Sequence, residues 1–177
     1  MGKSRAVRPK AVRSVVRTRT IPGMPFDHVS LQISRVYEKM CREKGLQHIS
    51  FDIPAIPPSV NHIYKKFRKN FVLEPRVRGF RDIVSLSMGY RKEEWKPKGV
   101  VAVIAVLHSP TWISQERKVR ERDVDNNLKS LIDAIKEACN WPDENAWHEH
   151  IFKVASSTEK THVELFDLGD VVEYINQ

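Results

Sequence analysis

The chain has 177 residues, 41% of them hydrophobic and 29% charged, which suits one globular domain with a real core and some extension, and excludes a disordered chain. Its longest apolar run, residues 100–107, is too short to span a bilayer, and no signal-peptide core follows Met1, so the expectation is a cytoplasmic protein that does not enter a membrane. The net charge of +8 is uneven: residues 1–20 carry seven bases (Lys3, Arg5, Arg8, Lys10, Arg13, Arg17, Arg19) and no acid, which leaves 23 bases against 22 acids in the remainder.

Residues 1–25 therefore read as a basic, unfolded tail and linker, with an affinity for polyanions through counterion release. A targeting segment is the competing reading of such an acid-free start. Residues 26–47 form a helical extension: Leu31, Ile33, Val36, Tyr37, Met40 and Cys41 recur at helical spacing, and Gly45 is a natural stop. Residues 48–53 alternate like a strand ended by Pro54. Two adjacent prolines make residues 56–62 a shaped loop, which leads into the basic run Tyr64, Lys65, Lys66, Phe67, Arg68 and Lys69.

A helix is predicted from Pro75 to about Lys92, with Phe80, Ile83, Val84 and Met88 on one side. Residues 100–107 are β-branched and apolar, the pattern of a strand buried on both faces. A basic loop follows, with Arg117, Lys118, Arg120 and Arg122, and a third helix runs to about Ala138. After an acidic turn, residues 148–155 and 162–167 alternate as two strands, with 156–161 read as their hairpin connection. The fold class is α/β (α+β): a small mixed β-sheet with helices packed on it, in a domain spanning 48–170.

The stretch RERDVDNNLKSLIDA, residues 120–134, sets two aspartates one residue apart among basic residues. Side chains at i and i+2 share a face only in extended chain. Asp123 and Asp125 can therefore meet one metal ion only if the helix starts at or just after Asp125. Leu128, Leu131, Ile132, Ile135 and Cys139 give an apolar stripe that begins there, and Asp and Asn are strong helix starters. Lys129 and Asp133 follow Asp125 along the border of that stripe. Two carboxylates, free backbone N–H groups and a lysine one turn in suit phosphodiester hydrolysis with Mg²⁺, with Asp143 and Glu144 swinging back from the next turn to complete the metal shell. Taken singly, each feature is more often a helix cap, a surface ion pair or an acidic turn.

Two separated motifs shift that balance. Residues 122–135, R-D-V-D-N-N-L-K-S-L-I-D-A-I, followed by the acids at 143–144, resemble the RusA family of Holliday junction resolvases, as does the loop I-P-P-S-V-N-H-I-Y-K at 56–65. The resemblance covers about residues 51–168. It implies a RusA-like fold and a homodimeric endonuclease, dependent on Mg²⁺ (with Mn²⁺ as a substitute), that resolves branched DNA by paired nicks in recombination and repair. Residue by residue, it implies Asp123, Asp125 and an acid of the 143–144 turn, Asp143 or Glu144, as metal ligands, with Lys129 as the essential lysine.

Around that site, Asn61, Tyr64, Lys65, Lys66, Arg68, Lys69, Arg117, Lys118, Arg120 and Arg122 are candidate DNA contacts, expected to flank the acids if the strands before the two loops are neighbours. Phe67 and Trp112 are candidate junction wedges, with packing the commoner fate. His148 and His150 share a strand face, but no fourth ligand makes a zinc site, so they read as strand surface, and Cys139 reads as core. Two rival functions are a non-catalytic DNA-binding protein and, with less support, a D-x-D nucleotide-sugar transferase.

Overall fold

The apolar run at 100–107 lies inside the middle strand of a five-stranded sheet in the computed structural model, and both faces of that strand are buried. The structure describes residues 14–17, 26–59, 64–67, 70–113, 125–141 and 146–170; at 14–17, 26–28, 64–67, 70–72, 125 and 146–147 it describes the backbone alone. In chain order the elements are β1 (Ser14–Arg17), α1 (Phe26–Lys44), β2 (His48–Ile53), β3 (Tyr64–Phe67), β4 (Asn70–Leu73) and α2 (Pro75–Met88). There follow α3 (Arg91–Glu94), β5 (Val100–Ser109), α4 (Asp125–Cys139), β6 (Ala146–Ala155) and β7 (Lys160–Gly169).

The sheet order is β1-β6-β5-β7-β2, and β3 and β4 make a separate hairpin. β6 runs parallel to β5 and to β1, while β7 is antiparallel to both β5 and β2. The sheet is mixed, as the pattern of elements predicts. Alternation along β5 feeds two cores. Val101, Val103, Ala105 and Leu107 join Phe80, Val84 and Met88 of α2 and Leu128, Leu131, Ile132 and Ile135 of α4. Ala102, Ile104 and Val106 join Cys41 of α1 with Phe152 and Phe166. Helices thus cover both faces, and each needs only one apolar stripe.

The local signals explain most boundaries. α1 stops at Gly45, which takes φ 63°, and Leu46 N–H donates to Cys41 O at 2.8 Å to close the last turn. The helix predicted over 75–92 ends earlier, because Gly89 takes φ 55°; α3 then resumes for four residues. Trp112 sits in a 3-10 turn, buried, with Nε1 donating to Leu107 O at 2.8 Å, so it is a packing residue and not a junction wedge.

Three other expectations change. β6 and β7 are not a hairpin: β5 lies between them, and their connection crosses the end of β5, where Ser156 N–H donates to Ser109 O and Ser109 Oγ to Glu159. A strand buried on both faces still has two hydrogen-bonding edges, and alternation in β6 and β7 does not tell which edge each takes. Within the segment expected to be unfolded, residues 14–17 form β1 on the outer edge of β6, where backbone pairing needs no apolar side chain. Part of the basic run after the Pro-Pro loop is strand β3.

Candidate active site

Parallel neighbours β5 and β6 require a crossover, and α4 supplies it. The chain leaves β5 at Ser109, returns along α4, and enters β6 at Ala146, which pairs with Val101 near the start of β5. The N-terminus of α4 therefore lies at the carboxyl edge of β5, and its C-terminus near where β5 begins. Ligand sites of α/β sheets sit at that carboxyl edge.

The Pro-Pro loop arrives at the same place. Ile53, the last residue of β2, pairs with Thr161, which on its other side pairs with Leu107. β2 and β5 thus run the same way and end together, with β7 between them, so the condition that the strands before the two loops be neighbours is met only across β7. Two hydrogen bonds fix the loop. Thr161 Oγ1 donates to Ala55 O at 2.7 Å, and Asn127 Nδ2, in the first turn of α4, donates to Pro57 O. Pro57 and Pro58 cannot offer an N–H, and both of these bonds reach the loop through its carbonyls. The two motifs, some 60 residues apart in sequence, meet at this bond. Asn127 and Thr161 are site residues that sequence reasoning missed; the signal was present, since a short amide in a helix's first turn can reach a neighbouring loop.

α4 begins at Asp125, the start that two convergent aspartates require. Its first backbone N–H groups have no partner inside the helix and favour negative charge. Leu128, Leu131, Ile132 and Ile135 are buried, Lys129 is exposed and Asp133 is half-buried, so the polar strip runs along the border of the apolar face as its spacing predicts. Tyr64, Lys65 and Lys66 fall on β3, where the backbone alone is described. Asp123, Asp143, Glu144, Asn61, Arg68, Lys69, Arg117, Lys118, Arg120 and Arg122 lie outside the described residues, and so does the side chain of Asp125.

The acidic turn joins the far end of α4. Fifteen helical residues place Asp125 and Cys139 ~20 Å apart at 1.5 Å per residue. Cys139 Sγ lies 3.7 Å from Met88 Sδ, and Trp141 N–H donates to Lys136 O at 3.0 Å, which holds the chain at that far end. Residues 142–145, which carry the acidic turn, lie outside the described residues.

Other candidates lose their chemistry. Burial pushes the Cys139 thiol up to about 11, and burial followed by Asp167 does the same for Cys41, so both are protonated, inert core thiols. His148 is exposed, but His150 is half-buried and shares a 3.0 Å hydrogen bond with Tyr37, so it is not simple strand surface. Among the described residues no helix is long and apolar enough to cross a membrane.

Against this geometry, the family model Endodeoxyribonuclease RusA matches residues 54–166. The chain belongs to the RusA family. Membership carries an endodeoxyribonuclease activity, the cutting of phosphodiester bonds within a DNA strand. The matched span opens directly after β2 and closes inside β7, so β1, α1 and β2 stand outside it. No curated protein matches the chain.

Proposed function

We propose that this RusA-family protein is a Mg²⁺-dependent Holliday junction resolvase that acts in DNA recombination and repair as a homodimer. The observation that carries this reading is the bond from Asn127 to Pro57 O, which brings both family motifs to one carboxyl edge of the sheet. Asp123, Asp125 and an acid from the 143–144 turn are the ligand set. Carboxylates without imidazole or thiolate suit a hard, oxygen-seeking cation. When bound, that cation supplies an activated water and neutralises charge on the phosphate.

The chain's own residues do the remaining tasks. The N-terminal N–H groups of α4 face the anionic substrate. Lys129, exposed one turn in, holds its ammonium toward the charge that develops on the non-bridging oxygens. Tyr64, Lys65, Lys66, Arg68 and Lys69, with Arg117, Lys118, Arg120 and Arg122, grip phosphates and position the branched DNA without reading its sequence. Asn61 fixes the loop that carries them.

Since α4 separates Asp125 from the acidic turn, the third ligand comes from a second copy of the chain. A two-fold dimer then forms two such composite sites, which matches the two equivalent strands of a four-way junction. The test is cleavage of a synthetic four-way junction against a linear duplex of the same sequence, with Mg²⁺, with EDTA, and with Asp125→Asn. Paired nicks in the junction alone, lost with chelator and with the variant, are expected. Tight binding without cutting under any divalent metal would replace this reading with a non-catalytic DNA-binding protein.

A further inference from the structure

The sheet face beneath α1 carries polar side chains that the nuclease site does not use. Alternation along β2 sets His48, Ser50 and Asp52 on this face, and the register places Phe166, Glu164 and His162 of β7 opposite them. α1 crosses above, with buried Ser34 hydrogen-bonded to Glu164. One ligand atom from each of Glu38, His48 and Glu164 lies within 4.8 Å of the other two. Three different elements supply them, so only the folded chain assembles the group.

Two features of this group point to a ligand. Glu38 and Glu164 bring two carboxylates together, and among the described residues neither is paired with a lysine or arginine; Glu164 meets Ser34 and His162, the latter at 3.6 Å, and His162 is shared with Asp52 at 2.8 Å. Nearby like charges repel unless a cation or proton intervenes. In addition, His48 Nε2 is buried without a hydrogen-bond partner, although the ring is fixed by stacking on Phe166 with centroids 4.3 Å apart. A buried, unsatisfied ring nitrogen is uncommon.

We propose that Glu38, His48 and Glu164 bind a divalent transition-metal ion of the Zn²⁺ class, which clips α1 onto the nuclease sheet. One imidazole and two carboxylates, with water in the fourth position, suit Zn²⁺ better than Mg²⁺, which prefers oxygen alone. Metal–ligand bonds of ~2.0–2.2 Å require the ligand atoms to close by roughly 1 Å, within reach of side-chain rotation. The site is separate from the acids of α4, which packs on the opposite face. Glu38 and His48 also lie outside the span the family model matches, so the clip belongs to this chain's own extension.

The test uses the full chain carrying Asp125→Asn, titrated with Co²⁺ as a spectroscopic stand-in for Zn²⁺. Saturable binding of one Co²⁺ per chain with visible absorption is expected. Adding Glu38→Gln or His48→Gln should weaken it at least tenfold, and Zn²⁺ should raise Tm only where the triad is intact. Glu38 is half-buried on the outer helix, so Glu38→Gln serves as the variant whose fold, checked by circular dichroism, is retained. Absence of saturable binding, or an unchanged Kd in Glu38→Gln, overturns the proposal. Because Asp125→Asn is present throughout, neither result depends on the nuclease reading.

Discussion

Asn127 shows how much one amide can decide at the site. It is half-buried and its amide donates to Pro57 O across the meeting of the two motifs. Asn127→Ala should cost ~1–2 kcal/mol, the price of one lost bond and a stranded acceptor, and lower Tm by a few degrees. Junction cleavage should fall further than stability does, because the loop bearing the basic residues would no longer be registered against α4; a cleavage rate unchanged beside a lowered Tm would make Asn127 structural only. The histidines beneath α1 set opposing pH dependences. The hydrogen bond to Glu164, and beside it that to Asp52, holds His162 above the ordinary 6.5 in spite of its burial. Its contribution is therefore fully present below pH 6.5 and lost as pH rises through the folded-state value. Burial instead lowers His48 and His150, so protonation of the unfolded chain erodes stability as pH falls below 6.5. Thermal melts should accordingly show a larger deficit for His162→Gln at pH 6 than at pH 8, and a deficit that grows with pH would contradict the assignment.

At the scale of elements, α4 combines a core stripe with the proposed catalytic start, and the two can be separated by mutation. Leu131 is fully buried between α2 and β5, and Leu131→Ala should cost ~2–5 kcal/mol, read as a large fall in Tm. Asp125→Asn should abolish cleavage while leaving Tm unchanged or slightly raised, since it removes one of two neighbouring negative charges. A large loss of Tm there would recast Asp125 as a helix cap. The helix was legible in the sequence because its cap residues and its 3.6-residue stripe are local, and β5 because a run of β-branched residues is local too. What escaped was non-local. The edge of β5 that β6 or β7 takes, the docking of residues 14–17 beside β6, and the meeting of Asn127 with Pro57 all depend on register between distant segments. The convergence of Glu38, His48 and Glu164 was hidden for the same reason: each is an unremarkable polar residue until α1, β2 and β7 are stacked.

At the scale of the molecule, the sheet divides labour between its faces. α2 and α4 pack on one face, whose carboxyl edge presents the Pro-Pro loop and the first turn of α4. α1 closes the other face from outside the span matched by the family model. One consequence concerns copies of the chain. With ~20 Å of helix between Asp125 and Cys139, ahead of the acidic turn, the metal shell proposed above is built from two subunits. The measurement that tests this most directly mixes two inactive proteins, Asp125→Asn and the double variant Asp143→Asn/Glu144→Gln, under conditions that exchange subunits. If sites are shared, each mixed dimer regains one site with all its acids, and the mixture nicks a four-way junction once although neither parent cuts it. If the mixture is as inactive as its parents while mixed dimers are demonstrably formed, the composite site is wrong.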